Sequence, residues 1–187
     1  MRLFLAINFP AEVRGEVHAA TAPLRECAPD VAWVVEPRLH MTLRFFGEVP
    51  EERLESIQAA VATVAGQHRE LVMVVGGIGA FPNFRRARVV WMGVAHEPRL
   101  ELLHHDIEVA CEQLGFDVEG RPFRPHLTLA RIRTPLPEER LRLLSRVAKQ
   151  TQYRGEFIVR SIDVMQSDLS TAGPQYKTLV SAALRSG

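Results

Sequence analysis

Cysteine is scarce in this chain. Cys27 and Cys111 are the only two in 187 residues. Two thiols do not make the disulfide framework of a small secreted domain and fit a reducing compartment better. Both fall in predicted helices, as core or inert thiols. Lysine is scarcer still for its class, since 21 of the 23 basic residues are arginine. That bias suits forked recognition of phosphate, and a biased genome would produce it equally well. Charge of either sign is not in excess. A net +1 gives no general attraction to nucleic acid or membrane, so any anion site must be local. No long apolar run occurs either. Met1–Ile7 is apolar, but Asn8 and Pro10 end it before it could serve as a signal or a span. The chain therefore reads as cytoplasmic, with no membrane partner.

Several chemistries lack their signatures. There is no HExxH and no CxxC, and His18, His68, His96, His104 and His105 fall in predicted helices or turns. Zinc asks for four N/S ligands, or three and a water, so no metal is expected. G-x-S-x-G is absent, and neither cysteine adjoins a motif. Gly76-Gly77-Ile78-Gly79 lacks the Lys-Ser/Thr of a phosphate loop and the spacing of a dinucleotide fingerprint, so no cofactor is expected.

What the sequence does have is one phrase, twice: His40-Met41-Thr42-Leu43-Arg44-Phe45 and His126-Leu127-Thr128-Leu129-Ala130-Arg131. Strand side chains repeat with period two. In a strand His and Thr leave one face, while Met41, Leu43, Leu127 and Leu129 leave the other. The second copy follows the first by 86 positions, and that offset aligns more of the chain. Arg2–Leu5 falls on Arg88–Trp91, and Glu70–Val74 on Glu156–Arg160. Pro50–Leu54 reappears, slipped by one, as Pro137–Leu141. Four segments in one order predict a duplication, with repeat units of about 1–86 and 87–172 plus a C-terminal strand, in a single domain over 1–187. Halves of this kind pack about a pseudo-two-fold axis, which would bring the two His/Thr strands face to face.

Local patterning predicts strands at 2–8, 31–35, 39–46, 70–80, 87–94, 155–165 and 175–183, a second motif strand within 121–133 after Pro122 and Pro125, and helices at 10–27, 51–67, 97–114 and 137–150. The order is β-α-β-β-α-β, then β-α-β-α-β and an extra strand.

Paired imidazoles suit acid–base catalysis. With an ordinary pKa of about 6.5, one can be neutral and the other protonated near neutral pH. One takes a proton from an attacking hydroxyl while the other gives a proton to the departing oxygen opposite, as in-line displacement at phosphorus requires. Thr42 and Thr128 would donate to non-bridging phosphate oxygens, and Arg131 would meet growing negative charge. A single His in a strand is ordinarily structural. Two at equivalent places are not, because His and Thr are not core residues by preference. Arg44 could reach phosphate or form a structural ion pair. Phe81, Phe84, Arg85 and Arg86, where the halves join, could stack a base and hold a strand, or form a plain loop.

The two H-x-T-L phrases and Arg131 resemble the 2H phosphoesterase family, and within it the RNA 2′,3′-cyclic phosphodiesterases, also called 2′-5′ RNA ligase-like proteins. The likeness takes in Arg2–Ile7, Trp33–Gly47, Gly79–Asn83 leading to Val90-Trp91, Ser167-Asp168-Leu169 and Gly173–Tyr176. The resemblance implies a bilobed α+β fold, with two antiparallel sheets flanking a central cleft and helices outside. It implies metal-independent hydrolysis of a ribose 2′,3′-cyclic phosphate to a 2′-phosphomonoester, with His126 as base and His40 as acid. Sequence alone does not separate that assignment from its reverse. Ligation would be the same chemistry with an RNA 5′-hydroxyl in place of water. Substrates would be RNA ends, tRNA fragments among them, or small cyclic nucleotides, acted on by a monomer. The alternatives are a 2H enzyme for another phosphoester, such as a 2′-5′ oligoadenylate, and a non-catalytic RNA-end-binding module.

Overall fold

Alternating apolar residues make the strands, and the computed structural model shows where each goes; it describes residues 1–170 and 173–187, without the side chains of 169 and 170. The chain runs β1 (Arg2–Asn8), α1 (Ala11–Ala20), α2 (Ala22–Cys27), β2 (Ala32–Trp33), β3 (His40–Glu48), α3 (Leu54–Ala65), β4 (Leu71–Phe81), β5 (Val89–Val94), α4 (Pro98–Gln113), β6 (His126–Arg131), α5 (Glu138–Gln150), β7 (Arg154–Val159), β8 (Ser161–Ser170) and β9 (Gly173–Ala183). Short 3₁₀ turns at Glu36–Arg38, Glu51–Arg53 and Phe84–Arg86 join some of them.

Two boundaries differ from expectation. The helix predicted over 10–27 is two helices, broken at Thr21. Pro23 has no N–H to give an earlier turn, so it sits in the first turn of a new helix instead. The Thr21 hydroxyl also donates to the Val17 carbonyl at 2.8 Å, closing α1. The strand predicted over 155–165 is likewise two, because β7 pairs with β4 and β8 pairs with β1. The change of partner falls at Arg160, where the sequence carries no turn residue.

Hydrogen bonding joins the strands into one curled antiparallel sheet, in the order β7-β4-β5-β6-β3-β1-β8-β9, with β2 added beside β6. Two separate sheets were expected. Instead β6-β5-β4-β7 and β3-β1-β8-β9 are halves of one sheet, because the two motif strands pair directly. The joint is slight, one registered pair, Met41 with Leu127. The first half, β4 to β7, is one continuous stretch of sequence, whereas the second takes β1 and β3 from one end of the chain and β8 and β9 from the other. β1 lies beside β8 and β4 beside β5, and by position in the sheet β8, rather than β7, answers to β4. Glu70–Val74 and Glu156–Arg160, similar in sequence, come from strands that hydrogen-bond to each other. The repeat boundary at 172 and the side chain of Leu169 lie outside the described residues.

Helices cover one face of the sheet. α3 packs on α4, β8 and β9, α1 on β7, and α5 on β4. Beneath them Leu3, Leu5, Ile7, Met41, Leu43, Leu127 and Leu129 are buried together. Each such side chain contributes about 1.5–3 kcal/mol on leaving water. A smaller cluster of Phe4, Ala6 and Met165, with Tyr176 against it, lies apart from that core.

Candidate active site

One pair of residues sets the geometry. β3 and β6 run antiparallel with Met41 opposite Leu127, so the next position either way sets His40 opposite Thr128 and Thr42 opposite His126. Met41 and Leu127 are fully buried in the core, which leaves all four polar side chains on the other face. Directly opposed Cβ atoms lie about 4.5–5.5 Å apart and diagonal ones about 7–8 Å. The two histidines are the diagonal pair.

Both rings are fixed the same way. His40 Nδ1 lies 2.7 Å from the Arg38 carbonyl, and His126 Nδ1 lies 2.6 Å from the Arg124 carbonyl. A carbonyl only accepts, so Nδ1–H is the donor in each ring and Nε2 is left for chemistry. Aromatic rings brace both imidazoles. Phe4 lies 5.1 Å from His40, and Tyr176 meets it edge-on at 5.2 Å. Phe81 meets His126 edge-on at 5.0 Å, with Trp91 behind at 6.5 Å. Trp91 lies over Gly79, where an added Cβ would come within 2.2 Å of the indole. Burial holds the His40 pKa below its ordinary value. The Arg38 carbonyl opposes that shift, and the Arg131 guanidinium adds to it.

Arg131 reaches the site by an irregularity. Strict alternation would put it on the core face with Leu127 and Leu129. The pairing of β6 with β5 slips between Trp91 and Val90, so Leu129 and Ala130 are both buried and Arg131 emerges exposed on the histidine face. A β-bulge produces this change of phase. β3 slips against β1 at the equivalent place, between Leu5 and Ala6. There Leu43 and Arg44 are both buried, and Phe45 emerges 57% exposed as the counterpart of Arg131. Arg44 therefore faces away from His40. It forms an ion pair with Glu108 and donates to the Asp117 carbonyl at 2.5 Å. Of its two expected roles it has the structural one.

The junction residues divide. Phe81 joins the site beside His126. Phe84 packs against the main core, in a turn held to α5. Arg85 and Arg86 are exposed, and their backbone N–H groups donate to the Asn83 side chain. Phe84 is thus not brought to the histidines; its turn packs on a helix. Sequence reading missed Phe4, Phe45, Trp91 and Tyr176. It also missed that the repeated phrase begins earlier, as Arg38-Leu39-His40 and Arg124-Pro125-His126, with the ring-orienting carbonyls at its first residue. Among the described residues no three His, Cys, Asp or Glu gather as a metal site. Among the described residues no helix is long and apolar enough to cross a membrane.

Comparison with known proteins places the chain in a family. The model of the 2′-5′ RNA ligase superfamily matches residues 9–171. The chain belongs to that superfamily. It is 36% identical to an RNA 2′,3′-cyclic phosphodiesterase of Archaeoglobus fulgidus, over 96% of this chain and 98% of the other. Its fold matches the crystal structure of TT0787 of Thermus thermophilus with a TM-score of 0.83 at 30% identity, covering 100% of this chain and 99% of that one. Escherichia coli LigT, solved with 3′-AMP, matches with a TM-score of 0.72 at 27% identity, over 98% of this chain and 97% of the other.

Proposed function

We propose that this protein hydrolyses RNA 2′,3′-cyclic phosphate ends to 2′-phosphomonoesters by metal-independent acid–base catalysis. The observation that carries the reading is the Met41–Leu127 pair, which sets two imidazoles, each with Nε2 free, diagonally across one polar face. The family's cyclic phosphodiesterases and the nucleotide bound by LigT support it.

In the proposed step His126 Nε2 takes a proton from water, the water oxygen attacks phosphorus, and the P–O3′ bond breaks as His40 Nε2 protonates O3′. The phosphate stays on O2′. Thr42 and Thr128 donate to its non-bridging oxygens, and Arg131 meets the charge that grows there. With an RNA 5′-hydroxyl in place of water the same step joins ends through a 2′-5′ linkage, and its reverse cleaves that linkage. The order of roles follows the family resemblance, and a cavity of about 550 Å³ lined by His40 supports it, since ribose must lie on the acid's side. The reverse order is favoured by the lowered His40 pKa, since burial disfavours the charged ring that an acid must carry. An activated aryl phosphodiester separates the two. Its leaving group needs no proton, so it rescues the variant lacking the acid and not the one lacking the base.

The finer features belong to the same reading. The motif strands β3 and β6 descend from a duplication, and the halves of the sheet flank a cleft, with Phe81, Phe45, Arg85 and Arg86 as the surfaces for an RNA strand. The protein acts as a monomer in the cytoplasm, on tRNA fragments among other RNA ends and on small cyclic nucleotides. Cys27 and Cys111 are both free thiols, and burial pushes Cys111 up to about 11, which fits a reducing compartment.

The test is to incubate the protein with a cyclic-phosphate-ended oligonucleotide and locate the phosphomonoester. A 2′-phosphate is expected. His40→Ala and His126→Ala should each lower kcat by about 10²–10⁴-fold with unchanged circular dichroism. Full turnover by either variant removes the mechanism, and binding without product makes the protein an RNA-end-binding module.

A further inference from the structure

The residue two before each histidine is an arginine whose carbonyl holds the ring and whose side chain is free to do something else. On the His40 side the Arg38 side chain borders a cavity of about 550 Å³, together with His40, Asn8, Gln175, Tyr176 and Thr178. That volume is within the usual range for small-molecule sites, about 300–1,000 Å³, and far exceeds what one phosphate fills. Its walls offer amide and hydroxyl groups and two guanidinium groups.

Those two cations are not equivalent. Arg14 is satisfied, since it pairs with Glu36 at 3.0 Å and donates to the Phe9 carbonyl at 2.7 Å. Among the described residues no carboxylate is paired with Arg38, and the one two positions away, Glu36, is held by Arg14. The Arg38 guanidinium extends from its turn toward β9, with Nη1 3.3 Å from where a Cβ on Gly173 would stand. Gly173 has a positive φ of 98°, so glycine suits both the backbone and the space the guanidinium takes.

An unpaired guanidinium beside a half-buried acid–base group, in a cavity of nucleotide size, calls for an anion one nucleotide from the reacting phosphorus. We infer that Arg38 binds the phosphodiester on the 5′ side of the terminal nucleotide, and that the cavity between Arg38 and β9 holds that nucleotide's sugar and its 5′ linkage. The inference rests on the proposed activity with ribose on the His40 side. It makes Arg38 the group that distinguishes an RNA end from a free cyclic mononucleotide, because only the former carries a second phosphate. Arg124, its counterpart beside His126, is exposed on the side from which water enters.

The experiment compares kcat/KM for a dinucleotide ending in a 2′,3′-cyclic phosphate with that for a nucleoside 2′,3′-cyclic phosphate. The wild-type protein should favour the dinucleotide. In Arg38→Gln the ratio should fall roughly ten-fold, as expected for loss of one charge-assisted contact, and Arg38→Lys should recover part of it. The salt dependence of the dinucleotide reaction should weaken by about 0.7 in log–log slope, the contribution of one single-strand phosphate. A dinucleotide with an uncharged methylphosphonate linkage should show a low ratio already, insensitive to R38Q. The same charge loss in Arg124→Gln should leave the ratio where it is. If R38Q lowers both substrates alike, or the methylphosphonate substrate remains sensitive, the assignment of Arg38 is overturned while the phosphodiesterase reading stands. If the wild-type protein turns over neither substrate, the phosphodiesterase reading itself is overturned.

Discussion

His40 is a site residue whose chemistry its surroundings alter. Burial is the larger cause of its lowered pKa and Arg131 a further one, and both act in the free protein. An anionic phosphate seated between the histidines supplies the opposite charge and raises the pKa again. The profile of kcat/KM reports the free enzyme and that of kcat the substrate complex. With His40 as the acid it must be protonated, so activity is lost as pH rises through its pKa. The basic limb of kcat/KM should then fall below the ordinary value of about 6.5, and the basic limb of kcat should fall higher. Arg131→Gln removes one depressing charge and should move the basic limb of kcat/KM upward, while lowering kcat by about 10²-fold or more for a lost transition-state donor. If the limb that moves is the acidic one, His40 is the base and the two roles are exchanged.

At the scale of elements the two motif strands share a device, and it separates two arginines that look alike in sequence. Arg44 follows Thr42 by two and Arg131 follows Thr128 by three. After the slip in each strand, Arg44 is buried at 3% exposure while Arg131 is exposed on the site. Arg44 and Glu108 also tether the segment leading to His126, through the Asp117 carbonyl and through the Glu119 N–H, which donates to Glu108 at 3.1 Å. Breaking a buried pair from one side typically costs about 3–5 kcal/mol, whereas replacing both partners is often neutral. Arg44→Met should therefore lower unfolding stability in urea by about 3 kcal/mol, and the double variant R44M/E108M should regain most of it. Arg131→Gln should leave stability near wild type and reduce turnover. A stability loss on R131Q, or a turnover loss on R44M with stability intact, would exchange these roles. The sequence could not announce the difference. Period two shows which face His40, Thr42, His126 and Thr128 share, but a bulge depends on how Trp91 and Val90, or Leu5 and Ala6, pair from the neighbouring strand. Phe45 was overlooked for the same reason, since strict alternation assigns it to the core.

For the whole molecule, the motifs were legible because His and Thr are costly to place in a core, and the strand–helix order because apolar spacing dictates it. The partnership of strands was not. Nothing near Arg160 signals that the chain leaves β4's side of the sheet for β1's, and the similarity of Glu70–Val74 to Glu156–Arg160 does not disclose that these strands pair together. That exchange builds one half, β3-β1-β8-β9, from both ends of the sequence around the continuous half β4 to β7, and one buried cluster runs through both halves, from Leu3 and Met41 to Leu127 and Val164. Folding is then expected to be all-or-none, although the halves are registered at a single pair. The two tryptophans make this measurable. Trp33 on β2 and Trp91 on β5 both adjoin β6, so their fluorescence reports one half, while far-UV circular dichroism reports the whole chain. The two denaturation curves should coincide, and a fragment of residues 1–86 should show no cooperative transition, because β1 lacks β8 and β4 lacks β5. Fluorescence that changes ahead of the dichroism, or a fragment that melts cooperatively, would mean that the halves fold as separate units and that the histidines meet only when two finished lobes dock.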